Sequence, residues 1–324
     1  MGFAVTEDQE FTLPPLEERP LVTFALFAYN QEKYIREAVE GAFAQTYEPL
    51  EIILSDDCST DRTFEIMEEM AAGYRGPHRV AIRKSPKNRR IIGHINDVVS
   101  LAQGEIIIMA AGDDISLPSR TLRITQEFKW NKEICGVFTA YQELSSEKII
   151  DYSIPKKTII PKIEHAINLG GIGLGATYAY RRECFFLPAP MDETLKLEDR
   201  ILPLRAAVLG SVIFINDPLV IYRVTHVASE EKARKTIDMS IENQRSHISL
   251  IIKDLDSLAK LRKISPLSSF TLKKAILGSY WWRGGFQVFR LPSIDFFFSN
   301  IFMAILRSAR RLSRKITNKP IIKN

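Results

Sequence analysis

A chain of 324 residues with 45% hydrophobic and 26% charged content can bury a large core, which excludes a disordered protein or a short disulfide-stapled one. The formal net charge of +5 is mild, so no nucleic-acid partner is expected, yet the first twenty residues are acid-rich and every charge after Ile301 is positive. Cys58, Cys135 and Cys184 have neither zinc spacing nor a paired framework, Met1 to Pro20 lacks the apolar segment of a signal peptide, and no stretch has the uninterrupted length of a membrane span; a reducing cytosol is expected.

Residues 1–20 read as a flexible lead-in rich in acids and proline. Leu21 to Ala28 is an apolar run of strand length, followed by the loop Tyr29-Asn30-Gln31, which is expected to cap a helix. That helix carries Ile35, Ala38, Val39, Ala42 and Phe43 on one stripe. Glu51 to Ser55 is a second strand ending on Asp56 and Asp57, and Cys58 to Thr63 opens the next helix. Asp61 is explained by the dipole of that helix, whereas Asp57 is placed to accept a ligand's hydrogen bond, such as one from a base N–H. Val80 to Lys84 is a third strand, and the basic loop after it (Lys87, Arg89, Arg90) is either a phosphate contact or a solvated charge run. Ile95, Val98, Val99 and Ala102 repeat the helical spacing.

Ile106 to Ala110 is a β-branched strand bounded by Gly104 and Gly112, and its carboxyl end presents Asp113 and Asp114. Ligands collect at such strand ends, and two hard oxygen donors suit Mg²⁺ or Mn²⁺ carrying a diphosphate; a turn with a helix cap is the alternative. Thr121 to Trp130 reads as a helix, Gly136 to Tyr141 as a strand, and Thr177 to Tyr180 as another behind the glycine-rich loop 170–175. That loop does not sit between a first strand and a helix, so it is no dinucleotide fingerprint. A helix from Glu198 to about Gly210 and closing strands at Val212 to Ile215 and Leu219 to Tyr222 follow. Residues 229–324 change to a helical composition. Within them Ile294 to Lys315 combines aromatic, apolar and then basic residues, which suits either an anionic membrane surface or docking on the main domain.

The sequence of motifs Val22 to Asn30, Gln45-Thr46-Tyr47, Glu51 to Asp61, Ala102 to Glu105 and Asp113-Asp114 resembles the family 2 glycosyltransferases of the GT-A fold, as found among bacterial cell-surface polysaccharide enzymes. The resemblance covers about residues 21–225 and implies an α/β domain with a Rossmann-like, mostly parallel sheet over 21–228. It implies inverting transfer of a sugar from a nucleoside diphosphate donor, weighted toward uridine, to a hydroxyl of a glycan or polyprenyl-linked acceptor. Ala28, Tyr29, Asp57, Asp113, Asp114 and Arg223 become the expected donor contacts. Asp113 and Asp114, with His226, become the expected metal ligands, although the usual first acid of the Asp-x-Asp pattern falls on Ala111 and the Arg–His spacing is one residue longer than usual. Asp199, in Glu198-Asp199-Arg200, becomes the expected base, with Glu198 and Asn96 as further site candidates. The implied place is the cytoplasm, or the periphery of the inner membrane face. Two other classes stay open. A sugar nucleotidyltransferase would need a glycine-rich basic loop after the first strand, which Phe27-Ala28-Tyr29-Asn30 does not supply. A non-catalytic binder would keep Asp57 without needing Asp199.

Overall fold

The computed structural model describes residues 14–144, 149–150, 157–160, 174–194 and 198–224, with a few positions between 252 and 260. All of them fall in the first of the two compact units into which the chain divides, Met1–Ile276. His226, the 294–315 segment and nearly all of the expected extension lie outside the described residues.

Three parallel steps build the first half. β1 (Val22–Ala28), α1 (Ile35–Phe43), β2 (Leu50–Asp56), α2 (Thr63–Gly73), β3 (Arg79–Lys84), α3 (Arg90–Leu101) and β4 (Ile106–Ala111) alternate in order. β5 (Ile115–Ser116), α4 (Arg120–Trp130), β6 (Ile134–Glu143), β7 (Ile149–Ile150), β8 (Lys157–Ile160), β9 (Tyr178–Arg181), α5 (Glu183–Phe186), α6 (Glu198–Leu209) and β10 (Ser211–Tyr222) complete the described chain. One sheet runs β3-β2-β1-β4-β9-β6-β10-β5, with β7 beside β6 and β8 beside β10. β1, β2, β3 and β4 are mutually parallel, as are β6 and β10, while β9 runs antiparallel between β4 and β6. This is the mixed α/β, GT-A architecture that the motif order implied.

Strand alternation sets the two cores. Phe24 and Leu26 point to the face where Ile35, Val39 and Ile52 pack, while Ala25 and Phe27 point to the face covered by Ile95, Val98 and Val99 of α3. Both faces are covered, so β1 and β2 are buried along their whole length and read as apolar runs. Truncating the fully buried Ile95 to Ala removes about 2–5 kcal/mol by the usual cost of a core cavity.

Three expectations change. The two closing strands are one, β10, whose pairing with β6 shifts register around Asn216 to Leu219; Pro218 has no N–H to give a ladder there. Residues 14–20 of the expected lead-in are tied to the body: Arg19 donates to the carbonyls of Pro14 (2.8 Å) and Glu48 (3.2 Å), and the Tyr47 hydroxyl donates to Pro20 O (2.7 Å). Asn30 does not cap α1; it bonds across to the next loop instead.

At the amino ends of the strands Glu51, 2% exposed, is a joint. Its Oε2 accepts from Thr23 Oγ1 (2.8 Å) and Gln103 N (2.9 Å), and Thr23 Oγ1 accepts from Gly104 N (3.0 Å). A Cβ on Gly104 would run into the Thr23 backbone, so only glycine lets these strands meet so closely.

Candidate functional site

The parallel strands deliver their carboxyl ends to one rim. Ala28 closes β1, Asp56 and Asp57 close β2, and Ala111 closes β4. Because β9 is antiparallel to β4, the single 3-10 turn Gly175–Thr177 that precedes it reaches the same rim. The loops after β1 and β2 are knitted together: Asn30 N donates to Ser59 Oγ (2.9 Å), Gln31 N to Thr63 Oγ1 (2.7 Å) and Glu32 N to Asp61 Oδ2 (3.1 Å). Asp61 therefore holds the neighbouring loop as well as the start of α2.

A cavity of about 410 Å³ lies along this rim. Ala28 and Tyr29 from the end of β1, Asp57 after β2, Ala110 and Ala111 of β4, and Gly175, Ala176 and Glu198 line it. Phe27, Ile95 and Met109 supply apolar wall, and such a vessel with a few polar groups is the usual form of a small-molecule site. Asp57 is 3% exposed; its Oδ1 accepts Arg89 N (2.8 Å), and burial raises its pKa against that backbone hydrogen bond.

His94 and Arg90 also line the cavity; Arg90 belongs to the basic loop weighed above as a phosphate contact, and His94 was not singled out from sequence. The Ser55 hydroxyl lies 2.5 Å from His94 Nε2 and accepts from Arg83 Nη1 at 2.8 Å. A guanidinium only donates, so Ser55 Oγ accepts from Arg83 while it also bonds the His94 ring. Burial lowers the His94 pKa to about 4, so the ring is neutral at neutral pH. Arg89 is differently spent, pairing with Asp97 (3.3 Å) and Glu193 (2.7 Å). Of the basic loop, Arg90 is thus the arginine that faces the cavity.

Asp113 and Asp114 follow β4. Asp113 lines a second, more polar hollow of about 380 Å³ with Tyr29, Lys33 and Asp61. Asp114 is 5% exposed and its Oδ1 accepts Arg223 N (2.9 Å); burial pushes its pKa up to about 7. Behind it stands Arg120, fully buried, donating to Ser116 Oγ (2.8 Å), Met109 O (2.8 Å) and Ala176 O (2.6 Å). Burial lowers its pKa to about 9 and the Asp114 charge works against that, so the cation holds β4, β5 and the turn before β9 in one register. Carboxylate oxygens suit a hard cation whose other ligands come from a diphosphate, and of this pair Asp113 is the one that borders the hollow. Among the described residues no three His, Cys, Asp or Glu side chains converge as a complete metal site.

Two expected site residues have other partners. Asn96 does not line the cavity: its Nδ2 donates to Met191 O (2.7 Å) and its Oδ1 accepts Met191 N (3.2 Å), which latches α3 to the segment ahead of α6. Arg223 reaches the Asp113–Asp114 turn, but its Nε is used on Asp113 O (3.1 Å) and its Nη2 on Glu37 (3.0 Å), over the Tyr34 ring. Glu198 lines the cavity and Asp199 does not, because successive residues of a helix point about 100° apart. Burial, with the Asp199 charge beside it, pushes the Glu198 pKa up to about 7.

A mixed sheet with carboxylates strung along its carboxyl rim defines a GT-A-type glycosyltransferase scaffold. Residues 23–183, just under half of the chain, match the family model described as Glycosyl transferase family 2. The putative glycosyltransferase EpsE of Bacillus subtilis is 36% identical over 101 residues, which are 31% of this chain and 36% of EpsE. The curated relatives are matched over only 13% to 40% of their own length. Among solved structures, S. aureus TarS superposes with a TM-score of 0.58 at 18% identity, covering 84% of this chain and 76% of that one. The mannosyltransferase PcManGT from Pyrobaculum calidifontis, solved with GDP-Man and Mn²⁺, gives 0.54 at 17% identity, covering 95% and 87%.

Proposed function

We propose that this chain transfers a sugar from a nucleoside diphosphate donor to a hydroxyl of a glycan or lipid-linked acceptor, with inversion, in surface polysaccharide synthesis. The observation that carries the reading is the order of acids across the rim: Asp57 at β2, Asp113 and Asp114 at β4, and the Glu198–Asp199 pair beside the turn that leads into β9. Three strand spacings separate the ends of that series, roughly 14 Å, and a base, a diphosphate and a sugar follow one another in the same order. TarS solved with UDP-GlcNAc and the Pyrobaculum protein with GDP-Man support a nucleotide-sugar donor while leaving both bases in play.

In this reading Asp57 accepts a base N–H and Tyr29 and Ala28 border the nucleoside. Asp113 and Asp114 hold Mg²⁺ or Mn²⁺, which would offset the charge growing on the leaving diphosphate. Asp199 takes the proton of the acceptor hydroxyl as its oxygen bonds to the anomeric carbon. The bond from that carbon to the diphosphate breaks with its electron pair on the diphosphate, and a single displacement inverts the centre. The 294–315 segment would hold the chain at an anionic membrane surface where a lipid-linked acceptor is presented.

Titrating the full chain with UDP, GDP and their sugars in the presence of Mn²⁺, read as thermal shift, tests the donor. Asp57→Ala should weaken the preferred nucleotide about 10- to 100-fold, the worth of one hydrogen bond to a charged group. Asp199→Asn should keep donor affinity and lose about 10² to 10⁴ in transfer rate. A chain that binds no nucleotide in either form overturns the reading.

A further inference from the structure

Glu198 is the one carboxylate besides Asp57 among the residues lining the main cavity; it stands beside Gly175, ahead of β9, whereas Asp57 follows β2. Its position is built. Gly175 faces it, and a Cβ there would run into Glu198 Oε1, so the absent side chain is the space the carboxylate occupies. Met109, Ala110 and Ala176 of the same lining are uncharged. The neighbouring charge acting on it is Asp199, of the same sign. Arg90, the guanidinium of the cavity lining, belongs to the loop that folds over Asp57, whose carboxylate accepts the Arg89 backbone amide.

We infer that Glu198 selects the transferred sugar by charge: the cavity takes a neutral hexose or N-acetylhexosamine and rejects a uronic acid. This rests on the donor reading above, which puts the sugar at the β9 side of the rim. A carboxylate there accepts hydrogen bonds from sugar hydroxyls. Once Glu198 is ionised, above pH about 7, a uronate would bring a second anion against it, and Arg90 is the one cationic side chain among the described residues lining the cavity. Discrimination then comes from a repulsive element as well as an attractive one. Asp199 is not among the residues lining this cavity and is left unchanged in the test.

The test uses the full-length protein and paired donors that differ only in the C6 group: UDP-glucose with UDP-glucuronate, and GDP-mannose with GDP-mannuronate, alongside UDP and GDP alone. Wild type should bind the neutral member of its preferred pair at least tenfold tighter than the uronate. Glu198→Gln should keep affinity for the nucleotide alone and bring the pair within about threefold, mainly by tighter uronate binding. Gly175→Ala, which crowds the carboxylate without removing it, should weaken the neutral sugar nucleotide and leave the bare nucleotide unchanged; it serves also if Glu198→Gln does not fold. Wild type binding the uronate as tightly as the neutral sugar, or a ratio unmoved by Glu198→Gln, overturns the inference while the donor reading stands. Absence of any nucleotide binding removes the donor reading and this inference with it.

Discussion

At the scale of single residues, the carboxylates that an apolar run delivers to a rim were legible, and the groups that hold them were not. Asp57, Asp113 and Asp114 each follow a strand-length run, and the structure puts all three at strand ends. Glu198 adds a pH signature. Its pKa rises from 4.5 in the unfolded chain to about 7 in the folded one, so between those values the unfolded state gives up the proton first. Native stability relative to Glu198→Gln should therefore be greatest below pH 4.5, fall as pH rises to about 7, and then level off. Urea midpoints of the two proteins across pH 4 to 8 would show this; parallel curves would mean that the carboxyl keeps an ordinary pKa. Arg120 illustrates what sequence hides. A cation in the first turn of a helix is unfavourable to the dipole, and that oddity was the available signal that it must serve something else. Its three acceptors come from elements far apart in sequence, which no spacing rule connects.

At the scale of elements, helical spacing of apolar residues located α1 and α3, and apolar runs located β1, β2 and β4, because each buries a continuous stripe or run. β5 and β7, two residues each, and β8, four, escape because their existence depends on a partner rather than on their own pattern. The same applies to α3. Its apolar face was legible, but its polar face carries the latch of Asn96 to Met191 and the Arg89 bridge from Asp97 to Glu193. Asn96→Ala should unpair the N–H and C=O of Met191 and cost about 1–3 kcal/mol in urea unfolding, while affinity for the bare nucleotide stays within twofold. Loss of nucleotide affinity at unchanged stability would return Asn96 to the donor site.

At the scale of the whole molecule, the family match ends at residue 183, while described strands of the same sheet continue to Tyr222. Among the described residues no helix is long and apolar enough to cross a membrane. Attachment, if the 294–315 segment provides it, would be interfacial: Phe296, Phe297, Phe298 and Phe302 would bury at the headgroup boundary and the arginines meet acidic lipid at about 1 kcal/mol each. Deleting residues 294–324 should then abolish most sedimentation with anionic vesicles, and raising salt should weaken it in the full chain without removing it. Equal sedimentation of the truncated protein would assign those aromatics elsewhere.

The Glu51 joint ties β1, β2 and the residues entering β4 at one rim, and the acids gather at the other, a strand length of about 23 Å away. Strain introduced at the far rim has to pass down seven buried residues of β1 or β2 before it meets that joint. Such a scaffold is tolerant of inheritance. Loops over the chemistry can be lengthened, shortened or traded between lineages as cassettes, while the hinge on which the strands were first aligned stays where it is.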